Sequence, residues 1–297
     1  MVRYDDFLRG AIDLHCHIDV ELSLEAYRKR EPEWEWLPHA ERLGMRGVVL
    51  KSHWWPTTGA LPYLRQLYTG PVAVWASAVL NPVAGGPTLW AAEAAAALGA
   101  RVIFLPTWGA RNDLARRGFS ARIAPLYESF IPEELPGCTF LDAAGAVSAS
   151  GRALLEFCHR RGLTLATGHV SWQESLAFAE AAQALGFPRL IITHPLSAVI
   201  EMPLEVARRA AALGAWLEVC WNNVAPGRLD PAHVVDWIRA VGVEHVVAST
   251  DYFRGANPNP PELFRQFLGT LFDAGLTERE VRQIACENPA RALGLDS

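Results

Sequence analysis

Eight short runs rich in β-branched and other apolar residues recur along the chain, each followed by a stretch with helical spacing. That alternation limits the architecture more than any other feature. The runs are Ala11–Ile18, Gly47–Ser52, Val72–Leu80, Arg101–Leu105, Leu163–Thr167, Leu190–Thr193, Trp216–Cys220 and His245–Ser249. Between them, Ala91–Leu98, Gly151–Arg161, Gln173–Leu185, Leu204–Leu213, Ala232–Val241 and Glu262–Ala274 place alanine and leucine at the 3.6-residue period of amphipathic helices. Strand–helix repeats of this kind pair in parallel, and eight of them close naturally on themselves. The expected fold is therefore α/β, a single (β/α)8 TIM barrel over residues 1–297. A doubly wound open sheet shares the alternation, but no Gly-rich phosphate loop follows the first run.

One interval breaks the rhythm. The fourth run ends near Leu105 and the fifth begins near Leu163, so a loop insertion between strands four and five, at about residues 106–150, is expected over the barrel mouth. It contains the Pro-bounded segment Pro125–Pro136, and a small hairpin is expected around Cys138–Ala143.

With 51% hydrophobic residues in 297, the chain can bury a large core. A formal charge of −5 leaves no basic footprint for nucleic acid or anionic membrane, so the expected partner is a small-molecule substrate. No apolar run approaches the ~20 residues of a membrane span, and the start Met1-Val2-Arg3-Tyr4 lacks the pattern of a secretory leader. A cytoplasmic location is the expectation, with self-association into a homo-oligomer left open. Five scattered cysteines with no CxxC spacing read as free thiols.

Five of the nine histidines (His15, His17, His53, His169 and His194) fall at the C-terminal ends of the expected strands. Barrel enzymes assemble their active sites at that end. In Asp13-Leu14-His15-Cys16-His17, strand alternation directs His15 and His17 inward and Leu14 and Cys16 toward the helices. Alone, such a pair is equally well a set of hydrogen-bonded core histidines. However, Thr167-Gly168-His169, Thr193-His194-Pro195 and Ser249-Thr250-Asp251 each deliver one more ligand-type residue to the same rim. Imidazoles with one hard carboxylate oxygen suit Zn²⁺, or Mn²⁺, Fe²⁺ or Co²⁺, as one or two divalent ions. His15, His17, His169, His194 and Asp251 are the expected ligands.

This set resembles the amidohydrolase superfamily signature: HxH on strand one, His at strands five and six, and Asp after strand eight. The C-terminal Glu287-Asn288-Pro289-Ala290-Arg291 is also similar to a terminal helix motif of that superfamily. The resemblance implies that His15, His17 and Asp251 hold one metal, that His169 and His194 hold or border a second, and that Asp251 accepts the proton. The chain departs from the pattern at strand four, which ends Phe104-Leu105-Pro106-Thr107 without the bridging lysine or glutamate of many members. Strand two instead ends Leu50-Lys51-Ser52-His53. Of 27 basic residues only Lys29 and Lys51 are lysines, so Lys51 stands out. It is read as a carboxylated metal bridge, with a substrate-binding ammonium or a purely electrostatic role as the alternatives.

The function these residues imply is metal-dependent hydrolysis: a metal-activated water cleaves an amide, cyclic amide, ester or lactone bond of a small molecule. Asp251 and His53 are the expected catalytic residues, and Trp54, Thr107, Asn222 and Arg254 the expected substrate contacts. The rivals are a metal-dependent decarboxylase on the same barrel and a barrel that binds metal without catalysis.

Overall fold

A computed structural model describes residues 3–19, 31–123, 137–253 and 258–295. Eight strands are present: β1 Ile12–His17, β2 Gly47–Lys51, β3 Ala73–Val79, β4 Ala100–Phe104, β5 Thr164–Ala166, β6 Leu190–Ile192, β7 Trp216–Cys220 and β8 Val246–Ser249. They pair in parallel in sequence order. Cys16 bridges Tyr252, and the His17 N–H donates to the Tyr252 carbonyl at 3.1 Å, which brings the end of β8 against β1. The result is a nearly closed (β/α)8 barrel, as the alternation predicted.

The helices of the first half are α1 Glu33–Arg42, α2 Leu61–Leu67, α3 Leu89–Ala97, α4 Arg111–Ala115, α5 Phe119–Ile123 and α6 Ala149–Arg161. Those of the second are α7 Trp172–Leu185, α8 Leu204–Ala212, α9 Trp221–Val224, α10 Pro231–Val241, α11 Pro260–Asp273, α12 Glu278–Arg282 and α13 Asn288–Ala292. Among the described residues no helix is long and apolar enough to cross a membrane.

Two buried clusters divide the interior. The larger lies between strands and helices and includes Leu50, Ile103, Leu165, Ile192 and Leu217. The smaller fills the barrel itself with Ile12, Leu14, Val49, Val79, Val102, Phe104, Ala166, Ile191 and Val247, joined by Ala290, Ala292 and Leu293. The C-terminal α13 thus closes the barrel floor. Asn288 fastens it by donating to the carbonyls of Val243 and Val246 at 2.8 and 2.7 Å, and Thr164 donates to the Ala292 carbonyl at 2.7 Å. With the floor packed shut, the open end is the C-terminal rim.

One expectation is corrected here. Leu14 packs in the inner cluster, not toward the helices, while Cys16 does face outward. The reason is a register irregularity between Asp13 and Cys16, which breaks strict alternation so that Leu14 and His15 both serve the barrel interior.

Between β4 and α6 the described residues carry α4, α5 and a small hairpin. Asp142 N–H donates to the Ala146 carbonyl at 2.8 Å, and Leu141 bridges Val147 in antiparallel sense. The Pro125–Pro136 segment lies outside the described residues. Buried Glu174 anchors the hairpin: it completes the Ser171 capping box of α7 and also accepts from Thr139 Oγ1 and Phe140 N–H, both at 2.8 Å.

Candidate metal centre and active site

His15 stands at the centre of the rim. Its Nδ1 lies 3.1 and 3.2 Å from the two Glu218 oxygens, on β7, and its Nε2 lies 3.0 Å from Asp251 Oδ1 and 2.7 Å from Lys51 Nζ. His17 Nε2 lies 3.3 Å from the same Asp251 oxygen. His15, His17 and Asp251 each offer one ligand atom within 4.8 Å of the others. Donors that share one ion at ~2.0–2.2 Å sit roughly 3.0–3.5 Å apart, so the 3.0 and 3.3 Å spacings fit a divalent metal. The donor chemistry fits as well, since Glu218 engages Nδ1 of His15 and leaves Nε2 as the ligand nitrogen, the usual carboxylate–histidine arrangement behind a metal.

The second pair is built differently. His169 Nδ1 lies 2.7 Å from Asp113 Oδ2 on α4. Asp113 is fully buried and also accepts the N–H groups of Phe119 and Ser120 at 3.0 and 2.7 Å. Burial pushes its pKa up, but the His169 hydrogen bond and charge with the Ser120 bonds outweigh that, so it falls below the usual carboxylate range. His194 Nδ1 lies 3.1 Å from Ser197 Oγ, and the His194 backbone N–H donates to Glu218 Oε2 at 3.2 Å. Burial, with the neighbouring His169, pulls the His194 pKa down to about 3, so the ring is a neutral donor of its lone pair. The two rings lie 5.0 Å apart between centroids.

Backbone conformation aims these side chains. Gly168 takes a φ of +60°, and a Cβ there would lie 2.3 Å from the Leu105 carbonyl oxygen, so only glycine allows this approach just before His169. His194 and Asp251 themselves adopt positive φ, +29° and +47°. That strain in non-glycine residues is typical of positions held for function.

Asp251 Oδ2 accepts from Asn222 Nδ2 at 3.0 Å. Burial raises the Asp251 pKa, yet His15, the His17 hydrogen bond and His194 hold it well below the carboxylate range. Glu218 is likewise held ionised against its burial, chiefly by His15.

His53 lies two residues past the end of β2 and lines the cavity. Its Nδ1 lies 2.8 Å from Thr107 Oγ1, and its pKa falls well below 6.5 through burial first, then the charges of His17, Lys51 and His169. Behind it, Asn81 donates to the His53 carbonyl at 2.9 Å and to Thr107 Oγ1 at 2.8 Å, while its Oδ1 accepts the Thr107 and Gly109 N–H groups. Neutral His53 can therefore present Nε2–H when the Thr107 hydroxyl donates to Nδ1.

His17, Lys51, His53, His169, His194, Asn222 and Asp251 line one cavity of about 540 Å³, the size of a small-molecule site. Thr107 is buried behind His53, and Trp54 packs on Trp108 at 5.6 Å; neither is on the cavity wall. Arg254 lies outside the described residues. Three supporting residues were missed as such in sequence. Asp113 lies on α4, away from any strand end, whereas Asn81, just past β3, and Glu218, a carboxylate inside the apolar run of β7, occupy positions that could have flagged them. Phe104 occupies the inner end of β4, its ring 5.0 Å from Lys51 Nζ and 5.5 Å from the His15 ring.

Residues 10–218 match the model of a family described as a family of unknown function, DUF6282. No curated protein matches the chain. Among solved structures, an amidohydrolase from Pseudomonas aeruginosa is 14% identical, with 98% of each chain covered and a TM-score of 0.63. One assigned as a 2-pyrone-4,6-dicarboxylic acid hydrolase from Pseudomonas putida is 15% identical over 97% of this chain and 98% of the other, with a TM-score of 0.60. The dipeptidase AC, a metallopeptidase of the M19 family, is 14% identical over 96% and 98%, with a TM-score of 0.63. At these identities the likeness is one of fold.

Proposed function

Because the chain belongs to the DUF6282 family, described as of unknown function, and shares its barrel with solved amidohydrolases, we propose that it is a metal-dependent hydrolase of small molecules. The bond cleaved is an amide, cyclic amide, ester or lactone. The observation that carries this reading is the double role of His15, with Nδ1 on Glu218 and Nε2 beside Asp251 Oδ1, which His17 Nε2 also approaches.

His15, His17 and Asp251 would hold one divalent ion, of which Zn²⁺ best suits the donors, and His169 and His194 would hold or border a second. Such an ion supplies Lewis acidity, which activates water and polarises a carbonyl. Asp251, kept ionised and steadied by Asn222, takes the proton from the attacking water and passes it to the leaving group. Neutral His53, positioned through Thr107 and Asn81, donates Nε2–H to the oxygen where negative charge develops.

Lys51 Nζ lies 2.7 Å from the very nitrogen of His15 that faces the ligand set. An ammonium there would repel a divalent cation at short range in a buried site. We therefore assign Lys51 as the carbamate bridge. The ammonium first gives up one proton; the neutral amine then forms an N–C bond to CO₂ and releases a second, turning a cation into an anionic oxygen donor. Phe104, apolar where many amidohydrolases carry their bridge, leaves that role to β2.

The test is Asp251→Asn in metal-loaded protein, assayed against a panel of lactones, cyclic amides, esters and, as a control, carboxylates that only a decarboxylase would consume. Asparagine keeps an oxygen ligand and removes the base, so metal should remain while hydrolysis falls ~10²–10⁴-fold. Turnover of the panel near the parent level by this variant moves the base elsewhere, and loss of CO₂ from the control substrates replaces the reading with decarboxylation.

A further inference from the structure

The hydrolase reading leaves part of the cavity wall without a task. Arg122 on α5 and Arg228 in the loop after α9 both line it, and both are exposed at the mouth. Those loops follow β4 and β7, three strands apart around the barrel. The acidic groups on the same wall are engaged elsewhere: Glu201 pairs with Arg116, and Asp251 lies against His15 and His17. Among the described residues neither Arg122 nor Arg228 has an acidic partner within ion-pair distance.

Between the mouth and the rim stand two aromatic rings. Phe119 stacks on His53 at 4.5 Å between centroids with an interplanar angle of 27°. Phe253 meets Phe119 edge-on at 5.1 Å and His17 at 5.1 Å. Both phenylalanines line the cavity, and burial increases from the exposed arginines through the half-buried Phe119 and Phe253 to the buried His17 and His53.

We propose that the substrate is an anion, a carboxylate-bearing cyclic ester or amide whose carboxylate is held by Arg122 and Arg228 while its ring lies against Phe119 and Phe253. Planar guanidinium matches a carboxylate in two-point geometry, and a neutral substrate would leave both cations unused. The aromatic faces suit a planar ring better than a flexible chain. The choice of a cyclic ester or amide rests on the hydrolase reading; the anion site stands on the arginines alone.

The experiment is calorimetric titration with benzene-1,3-dicarboxylate, which cannot be hydrolysed, and with its neutral diamide. Metal-loaded and chelator-stripped protein are compared at one ionic strength. The dicarboxylate should bind and the diamide should bind at least ~10-fold more weakly. Arg122→Gln and Arg228→Gln should each weaken the dicarboxylate by ~10-fold or more, as expected for a hydrogen bond between charged groups. Metal content should not change. Equal binding of the diamide overturns the proposal, as does undiminished affinity in the Arg122→Gln/Arg228→Gln double variant. Binding that disappears with the metal yet ignores both arginines also overturns it, because the ion would then be the receptor. Arginine-dependent binding that persists in stripped protein supports the anion site even where no hydrolysis is found, so the two readings fail separately.

Discussion

The two halves of the candidate site reach the same rim by different means. His15, His17 and Lys51 ride on β1 and β2, and the carboxylate that orients His15 comes from another strand, β7. His169 and His194 lie just past the ends of β5 and β6. Their orienting groups, Asp113 and Ser197, come from the segment after β4 and the loop after β6. Strands hydrogen-bonded on both sides hold a side chain within narrow limits, whereas loops depend on their own local bonds. The first half is thus a rigid seat, and the second is one whose geometry rests on Asp113 and on positive φ at Gly168 and His194.

The largest expected effect separates the halves outright. His15→Ala with His17→Ala should strip the metal held with Asp251 and abolish activity, whereas His169→Ala with His194→Ala should leave one ion bound. Elemental analysis of the purified variants checks this, and full metal occupancy in the first double variant would falsify the assignment.

Next is Lys51. Lys51→Ala should lose the second ion and most activity, with partial recovery when formate or acetate is added. Lys51→Arg should not recover, because guanidinium stays cationic. Carbon-13 bicarbonate should give the parent protein a carbonyl resonance that Lys51→Ala lacks. A Lys51→Ala variant that keeps all its metal and only raises KM identifies Lys51 as an ammonium contacting substrate.

The orienting carboxylates sharpen the contrast further. Glu218→Gln and Asp113→Asn should each weaken metal affinity or activity by ~10–100-fold. Glu218 should stand at the upper end, since it serves both His15 and the His194 backbone. Competitive metal titration reads the order, and a larger loss from Asp113→Asn would make the loop-borne half the dominant one.

The smallest effect belongs to Asn81, which touches no ligand. Asn81→Ala leaves the buried Thr107 N–H without its acceptor, an expected loss of ~1–3 kcal/mol in denaturant unfolding. Activity should fall through kcat, as His53 loses its support, with metal content unaltered. Unchanged stability and kcat would show that His53 is held by Thr107 alone.

The eight strands, the rim position of the histidines and the unusual Lys51 were legible in the sequence. Apolar runs buried on both faces and helices with 3.6-residue spacing announce themselves locally. Thus β7 was read to the residue as Trp216–Cys220, and Lys51 and His53 share an inward face through simple alternation. The same rule failed at Leu14, where a register irregularity in β1 lets consecutive residues serve the interior.

Residue types and periodicity by themselves determined that this chain would build a parallel barrel with imidazoles and a carboxylate at its C-terminal rim. Folding alone decided which nitrogen of each histidine faces the cavity. That choice is made by Glu218, Asp113 and Ser197, and the first two are distant in sequence: Glu218 is 203 residues from His15, and Asp113 is 56 from His169. It also decided that Arg122 and Arg228 share a wall. Such partners meet only because barrel closure brings loops from separate repeats around one opening, and no local period encodes that meeting.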